Sequence, residues 1–472
     1  MSLQELLLLR HEWVLIATVL ILLLLELNFT EEKKSNNIIS AAILFAIATL
    51  IGFLPAGYGS TFGGMYITDP IRILMKNILN LSVLIVILQS GTWLREKGNY
   101  NRITEFYLLI LSSVIGVNFM ISAGHFLMFY LGLELLTIPI AAAASYDQYK
   151  SKSAEAGIKL ILSSAFSSAL LLFGLSLLYG SAGSMYFSEM LFSNDLLQVL
   201  GFIFFFSGLA FKISIVPFHL WTADVYEGSP TNVTSYLSVV SKGAAVFVLV
   251  LLLVNLFEPL KQVWTQIIYG TAIFTMTIGN LFAIRQQNLK RFLAFSSIAQ
   301  AGFILLGVIG GSALGMASVI YFVLVYVFSN LAAFGVVIAI EQSAGKVNMT
   351  DYNGLYKTNP RLSLAMMLAL FSLAGIPPLA GFFGKFFLFT AAAEGGHYVL
   401  LFIAVLNAVI SLYYYLLVVK AMFINKSEAP ISYFSSDYPT RIALSACVIG
   451  ILVVGFYSPV FEYIKQLCLA SF

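Results

Sequence analysis

The sequence has few charged residues for its length. Only 10% of its 472 residues are Asp, Glu, Lys or Arg, whereas 60% are hydrophobic, and the mean hydropathy is +0.93. Soluble globular domains are typically about 25% charged. So few charges cannot cover a water-facing surface of this size. The composition therefore excludes a soluble protein and predicts a polytopic membrane protein.

Cysteine and histidine are also scarce. Cys447 and Cys468 form no CxxC pair, and the four histidines lie in separate segments, at His11, His125, His219 and His397. Haem and iron–sulfur centres need several ligands that converge. We therefore expect no cofactor and no metal in this chain. The small net charge of +3 gives no indication of a nucleic-acid partner.

Long hydrophobic runs make up most of the chain. Roughly 20 apolar residues cross the core of a bilayer, and only helices satisfy the backbone there. By this criterion the sequence predicts an all-α fold with about fourteen transmembrane helices. The approximate spans are 12–29, 37–55, 70–93, 103–122, 124–145, 153–181, 197–223, 230–256, 262–284, 292–310, 313–341, 360–392, 397–420 and 439–464.

Basic residues are distributed unevenly over the predicted loops. The loops after odd-numbered helices, with the span ends that adjoin them, hold sixteen of the 25 basic residues: Lys33, Lys34, Arg95, Lys97, Arg102, Lys150, Lys152, Arg285, Lys290, Arg291, Lys346, Lys357, Arg361, Lys420, Lys426 and Arg441. The tails and the other loops hold only Arg10, Lys261 and Lys465. By the positive-inside rule we expect both termini on the non-cytoplasmic side.

Five ionisable residues lie well inside predicted spans: Glu134, Lys159, Lys212, Lys242 and Lys385. A charge at mid-membrane costs at least ~2.5–3.5 kcal/mol, so these groups are expected to face protein or water. Four lysines and one glutamate cannot all pair off, although one pair could simply join two helices. An amine that is buried without an acidic partner lowers its desolvation cost by releasing its proton. The set therefore favours a proton relay.

Other polar residues allow more than one interpretation. Arg72 and Lys76 lie near the start of the third span, and we expect them to snorkel to the interface. Glu155 precedes Lys159 by four residues, so it is either a local helical ion pair or an entry group. His219 is either a packing residue or a member of the relay.

A short acidic turn, Asp224 and Glu227, precedes the eighth span. It could attract protons or contact a partner, and a solvated turn is the default expectation.

Prolines interrupt two spans. Pro217 interrupts helix seven after Lys212, and Pro377 with Pro378 interrupts helix twelve before Lys385. Because these helices run in opposite directions, the pattern predicts two inverted five-helix repeats, with broken helices at the transport site. The predicted domains are 1–102, 103–256 for the first repeat, 262–420 for the second repeat, and 421–472.

Four sequence motifs resemble one known family, the antiporter-like subunits of respiratory complex I (NADH:quinone oxidoreductase), which are related to Mrp antiporters. The motifs are FYLGLELLTIP (129–139), HLWTADVYEGSPTNVTSYLSVVSKGAA (219–245), RFLAFSSIAQAGFILLG (291–307) and FSLAGIPPLAGFFGKFF (371–387). The resemblance as a whole extends over most of the chain. Where relatives often have histidine after SSI in helix ten, this chain has Gln300, which cannot itself carry a charge.

The resemblance implies a proton-translocating membrane-arm subunit of a bacterial inner membrane. Glu134 and Lys212 would form the coupling pair, Lys242 the central relay and Lys385 the exit-side group, with Lys159 also matching. Neighbouring antiporter-like subunits would be its partners. NADH, FMN, iron–sulfur clusters and quinone would belong to other subunits, so this chain would be a non-redox part of a translocase.

Three other functions remain open at this point. The first is a subunit of a multisubunit sodium/proton antiporter or of a membrane-bound hydrogenase. A sodium site requires several oxygen ligands, and Glu134 among lysines offers few of them. The second is a redox membrane anchor, which paired histidines would support. The third is a passive scaffold, which the intramembrane lysines oppose.

Overall fold

The computed structural model describes residues 3–28, 34–55, 57–192 and 195–471 and is predominantly helical. The first helices are α1 (Leu3–Leu8), α2 (Arg10–Asn28), α3 (Asn36–Gly52), α4 (Pro70–Leu94), α5 (Ile103–Ile121), α6 (Phe126–Ala144), α7 (Ser151–Ala182), α8 (Leu196–Ile213), α9 (Leu220–Gly228), α10 (Thr231–Tyr236) and α11 (Lys242–Asn255). A π-helical turn, Leu237–Ser241, joins α10 to α11. The predicted all-α fold is confirmed.

The helices continue in the same way to the end of the chain. They are α12 (Lys261–Ile284), α13 (Leu289–Ile309), α14 (Ala313–Ala344), α15 (Leu355–Thr358), α16 (Pro360–Ala374), α17 (Ala380–Glu394), α18 (Tyr398–Phe423), α19 (Tyr438–Phe456) and α20 (Pro459–Ser471). A small antiparallel hairpin of β1 (Gly59–Thr61) and β2 (Tyr66–Thr68) lies between α3 and α4. The sequence pattern did not predict this hairpin, because its strands are only three residues long.

Twelve helices in the described ranges are long and apolar enough to cross a membrane. Two of the fourteen predicted spans are not among them. Span 37–55 corresponds to α3, which has 17 residues, and span 360–392 corresponds to α16 and α17, which have 15 residues each. The count of fourteen crossings and the inverted repeats stay predictions.

Both spans that were predicted to be interrupted by proline are broken where expected. Helix α8 ends at Ile213, Ser214 has a positive φ of 66°, and α9 begins only at Leu220. The freed amide of Val216 donates to the hydroxyl of Thr275 at 3.0 Å. Side chains thus satisfy backbone groups that the break exposes, which an apolar environment requires.

The second break separates α16 from α17. Gly375 has φ of 89°, in the left-handed region that favours glycine. The amide of Gly381 donates to the hydroxyl of Ser372 at 3.1 Å, so a side chain again receives a freed backbone group.

The chain forms two compact units. The first contains Met1–Lys212, Gly228–Val233 and Val240–Val263, and the second contains Ile213–Glu227, Thr234–Val239 and Trp264–Phe472. Each unit therefore contains residues from both sides of the first break. The sequence-based division at 102, 256 and 420 stays a prediction.

Within the first unit, the expectation that Arg72 and Lys76 snorkel to the interface is wrong. Both side chains are buried, and the ammonium of Lys76 lies 2.7 Å from the carboxylate of Glu12 on α2. The guanidinium of Arg72 pairs with Asp69 and donates to the carbonyl of Ile121. A buried acidic partner removes the need for Lys76 to reach water.

Two glycines bring α5 and α6 into backbone contact. A Cβ added at Gly116 would lie 2.3 Å from the amide nitrogen of Leu136, and one added at Gly132 would lie 2.5 Å from that of Met120. Small residues allow this close approach between membrane helices. The contact fixes α6, which carries Glu134, against its neighbour.

We expect Gly116→Ala to destabilise the protein by about 1–3 kcal/mol, because the added methyl group forces the two backbones apart. Thermal unfolding of the purified protein in detergent would measure the change. Gly180→Ala on α7 is the matched control, since a Cβ there meets nothing within 4 Å. Equal unfolding temperatures for the two variants would contradict the close contact.

Candidate functional site

Helix α6 presents Glu134 and Thr137 on one face, because residues three apart lie side by side on a helix. Glu134 is half-buried, and its carboxylate accepts a hydrogen bond from the hydroxyl of Ser168 on α7. The hydroxyl of Thr137 donates to the carbonyl of Leu133 at 2.6 Å. The oxygen of Thr137 therefore remains available as an acceptor.

Lys212 provides the donor for that acceptor. It lies in the last turn of α8, is 6% exposed, and donates from Nζ to the hydroxyl oxygen of Thr137. A cation is favoured at this end of a helix, where the carbonyls have no helical partner. The ammonium of Lys212 therefore lies beside the carbonyls at the end of α8, which favour a positive charge.

Glu134 and Lys212 are neighbours but are not in direct contact. Among the described residues, no ion pair within 4 Å joins Glu134 to Lys212. Lys212 instead bonds to Thr137, which lies one turn along α6 from Glu134. Each charged group instead bonds to a neutral hydroxyl. Neither group is therefore held in a salt bridge with the other.

Lys242 follows the π-helical turn and is the first residue of α11. Its side chain is buried within the first unit. Single π-turns inside helices occur frequently at functional sites, because they change the direction of a side chain without ending the helix. The turn therefore marks Lys242 independently of its charge.

Lys385 lies near the start of α17, and its side chain reaches back to the second break. It is 4% exposed, its Nζ donates to the carbonyl of Ala374 at 2.9 Å, and the same atom lies 4.6 Å from the ring centre of Phe303. A Cβ added at Gly375 would lie 3.1 Å from Cδ of Lys385. The glycine therefore provides both the left-handed turn and room for the lysine stem.

Gln300 lies beside the same break. Its side-chain amide donates at 3.1 Å to the carbonyl of Leu373 and at 3.1 Å to the hydroxyl of Tyr415, which contacts the hydroxyl of Ser296 at 2.5 Å. The carbonyl oxygen of Gln300 is buried without a hydrogen-bond partner in the described part of the chain. Gln300 and Lys385 thus donate to the consecutive carbonyls of Leu373 and Ala374 at the second break.

The structure does not bury Lys159 as the sequence led us to expect. Its side chain is 40% exposed and pairs with Glu155 at 2.6 Å, so the local ion pair is the arrangement observed. His219 lies between the halves of the first broken helix, and its Nδ1 is buried without a partner among the described residues.

The segment that was expected to be a solvated acidic turn is helical instead, because Asp224 and Glu227 lie in α9, and both are ion-paired. Arg291 at the start of α13 lies 2.7 Å from the carboxylate of Asp224 and 3.1 Å from that of Glu227. All three side chains are partly exposed, so the cluster contributes little to stability by itself. It joins the end of α9 to the beginning of α13 within the second unit.

Sequence reasoning missed three residues that the structure places at charged groups. Lys212 donates to Thr137, Glu134 accepts from Ser168, and Lys76 pairs with Glu12. A hydroxyl three residues after an intramembrane glutamate would have indicated Thr137. Glu12 gave no such signal, because it lies at the start of the first span, where a charge is ordinary.

The chain matches the family model described as NADH:quinone oxidoreductase/Mrp antiporter, TM, over residues 123–411. It is 50% identical over 469 residues to NADH-quinone oxidoreductase subunit N of Phocaeicola vulgatus, with 99% of each chain covered.

Solved structures show the same fold. A chain of respiratory complex I from Thermus thermophilus with bound aureothin superposes with a TM-score of 0.80 at 30% identity, covering 95% of this chain and 97% of that one. A chain of the Mrp complex from Dietzia sp. DQ12-45-1b gives 0.87 at 20% identity, covering 100% and 98%. The chain therefore belongs to the NADH:quinone oxidoreductase/Mrp antiporter family, within its subunit N branch, the antiporter-like membrane subunits of complex I.

Proposed function

We propose that this chain moves protons across the membrane through Glu134, Lys212, Lys242 and Lys385, with hydroxyl groups and water between them. Redox chemistry in other subunits of the complex supplies the energy. The chain itself carries no electrons in this proposal. Lys159 acts as a surface ion pair with Glu155, and His219 remains a secondary relay candidate beside the first break.

One observation carries the proposal: two buried lysines bond to neutral oxygens at the two helix breaks. Lys212 donates to a threonine hydroxyl, and Lys385 donates to a main-chain carbonyl. Among the described residues, neither ammonium has a carboxylate within ion-pair distance. A neutral acceptor stabilises both the charged and the uncharged amine, so neither protonation state is fixed as a salt bridge would fix it.

Glu134 supplies the switch in this mechanism. When its carboxylate leaves Ser168 and approaches Lys212, it favours the ammonium and loads a proton. When it returns to Ser168, the desolvated ammonium again favours release. Lys242 receives the proton and passes it to Lys385 in the second predicted repeat. Lys385 then releases the proton on the exit side. Polar groups at Gln300 and Tyr415 lie beside that last step.

The proposal includes the setting of the chain. NADH, FMN, iron–sulfur clusters and quinone belong to partner subunits in this proposal. The histidines and cysteines of this chain lie in separate segments, which supports the assignment of the clusters elsewhere. Neighbouring antiporter-like subunits pack against it in a bacterial inner membrane. The bias of basic residues places both termini on the non-cytoplasmic side.

Substitution of Lys385 tests proton exchange directly. We expect both Lys385→Met and Lys385→Arg to lower proton pumping by roughly tenfold or more in the purified native complex in proteoliposomes. Methionine cannot bind a proton, and arginine keeps its charge and does not release one. Quenching of a pH-sensitive dye after NADH addition measures pumping.

Lys420→Met is the matched control for this experiment, because Lys420 is exposed at the end of α18. It should pump at the rate of the unmodified complex. If Lys385→Arg also pumps normally, the lysine provides only a fixed charge and the proposal is wrong.

Thr137→Val tests the hydroxyl acceptor of Lys212. The substitution keeps the shape but leaves the buried ammonium without its acceptor, which costs about 1–3 kcal/mol. We expect a pumping rate at least about fivefold lower, with normal assembly, in the same proteoliposomes. Thr137→Ser retains the hydroxyl and should retain most of the activity. Equal activity of the valine and serine variants would show that this contact has no role in transport.

A further inference from the structure

Three side chains form a closed triangle of hydrogen bonds in the first unit. The ammonium of Lys76 donates to Oε1 of Glu12 at 2.7 Å and to the hydroxyl of Tyr66 at 2.8 Å. The hydroxyl of Tyr66 in turn donates to Oε2 of Glu12 at 2.9 Å. All three are almost fully buried, and Lys76 is 0% exposed. We refer to Glu12, Tyr66 and Lys76 as the N-terminal triad.

The N-terminal triad is not part of the proposed proton path. Its three residues precede residue 123, at which the match to the family model begins. A buried ion pair is weak evidence for stability, because apolar residues of similar size often stabilise a protein equally well. Its geometry, by contrast, is specific, since three mutual hydrogen bonds fix the relative positions of α2, β2 and α4.

The hairpin that carries Tyr66 is joined to the turn between α5 and α6. The amide of Ile67 donates to the carbonyl of Ser122 at 2.7 Å, and the amide of Gly124 donates to that of Met65 at 2.8 Å. A Cβ added at Gly124 would lie 2.3 Å from the carbonyl oxygen of Gly64. Backbone therefore meets backbone on this side of Tyr66.

The same turn begins α6. His125 is the N-cap residue, and its Nδ1 accepts from the amide of Leu127 at 2.9 Å. Helix α6 then continues to Glu134, nine residues or ~13 Å further along, and to Thr137, which receives Lys212. A displacement of the turn is transmitted along the helix to these side chains.

We propose that the N-terminal triad is a positioning device for the proton path: by fixing the hairpin against the α5–α6 turn, it holds α6 so that Glu134 and Thr137 meet their partners. This inference rests on the proposed function of α6. Glu12, Tyr66 and Lys76 are positioning residues, because they hydrogen-bond to one another and act on α6 only through the hairpin.

Tyr66→Phe in the native complex tests the proposal. It removes one hydroxyl and leaves the ion pair of Lys76 and Glu12 in place. We expect backbone amides of the α5–α6 turn to exchange hydrogen for deuterium about tenfold faster, because the turn opens more often. We also expect the number of protons pumped per NADH to fall about twofold or more, while the complex assembles normally.

Tyr107→Phe on α5 is the matched control. Tyr107 is equally buried in the same unit, and its hydroxyl contacts Ser90 rather than the hairpin. This variant should leave both the exchange of the turn and the protons pumped per NADH unchanged. Any purely structural effect of removing a buried tyrosine hydroxyl would appear in it as well.

A second variant, Glu12→Leu with Lys76→Met, keeps the test decisive if Tyr66→Phe does not assemble. It removes the triad without leaving a buried charge unpaired. Faster exchange of the turn together with fewer protons per NADH supports the proposal. A change in only one of these readouts, a change in neither, or failure of both variants to assemble while Tyr107→Phe assembles overturns it.

The outcome is distinguishable from failure of the proposed function. If Lys385→Met pumps normally, the proton path itself is wrong. If Lys385→Met does not pump and the triad variants pump like Tyr107→Phe, only the positioning role is wrong.

Discussion

The structure depends on the cost of holding a primary amine inside an apolar helix bundle. Lys212 and Lys385 meet that cost with single neutral acceptors rather than with carboxylates. Lys76 meets it in the opposite way, with an acidic partner and a phenol in a closed set of bonds. A salt bridge fixes protonation, whereas a neutral acceptor leaves it open. The same residue type thus serves structure in one place and proton transfer in another.

The second helix break provides one of those neutral acceptors, and a side-chain hydroxyl on α6 provides the other. The backbone of a continuous helix uses its own carbonyls and amides, so in its interior it has no carbonyl to offer a buried side chain. At the second break, Ala374 presents a carbonyl to Lys385, and Ser372 receives an amide that the break has freed. The prolines and the glycines around them therefore do more than bend the helix. They convert backbone into a polar surface at membrane depth.

Much of this architecture could be predicted from the sequence. Hydropathy identified twelve of the fourteen predicted spans, and proline identified both breaks. Intramembrane charge drew attention to Lys212, Lys242 and Lys385, which the structure buries. These signals are local in the chain. Partners are not local. The bond from Lys212 to Thr137 joins residues 75 apart, and that from Lys76 to Glu12 joins residues 64 apart.

The errors have the same origin. Lys76 was expected at the interface because its acidic partner lies on a different helix, and Lys159 was expected in the interior because hydropathy does not show which face a helix exposes. Arg291 was counted as a loop charge, although it lies in α13 and pairs with the carboxylates of Asp224 and Glu227 on α9. Periodicity describes one helix at a time, and these three cases are set by how helices meet.

The acceptor of Lys385 belongs to the main chain, and this has a consequence for genetics. Every amino acid at position 374 would bring the same carbonyl oxygen, so an alanine scan reports nothing about it. Selection on this half of the site acts instead through the residues that shape the backbone, above all Gly375 with its φ of 89°. Natural variation there should be constrained by conformation even where the chemistry of the side chain is irrelevant.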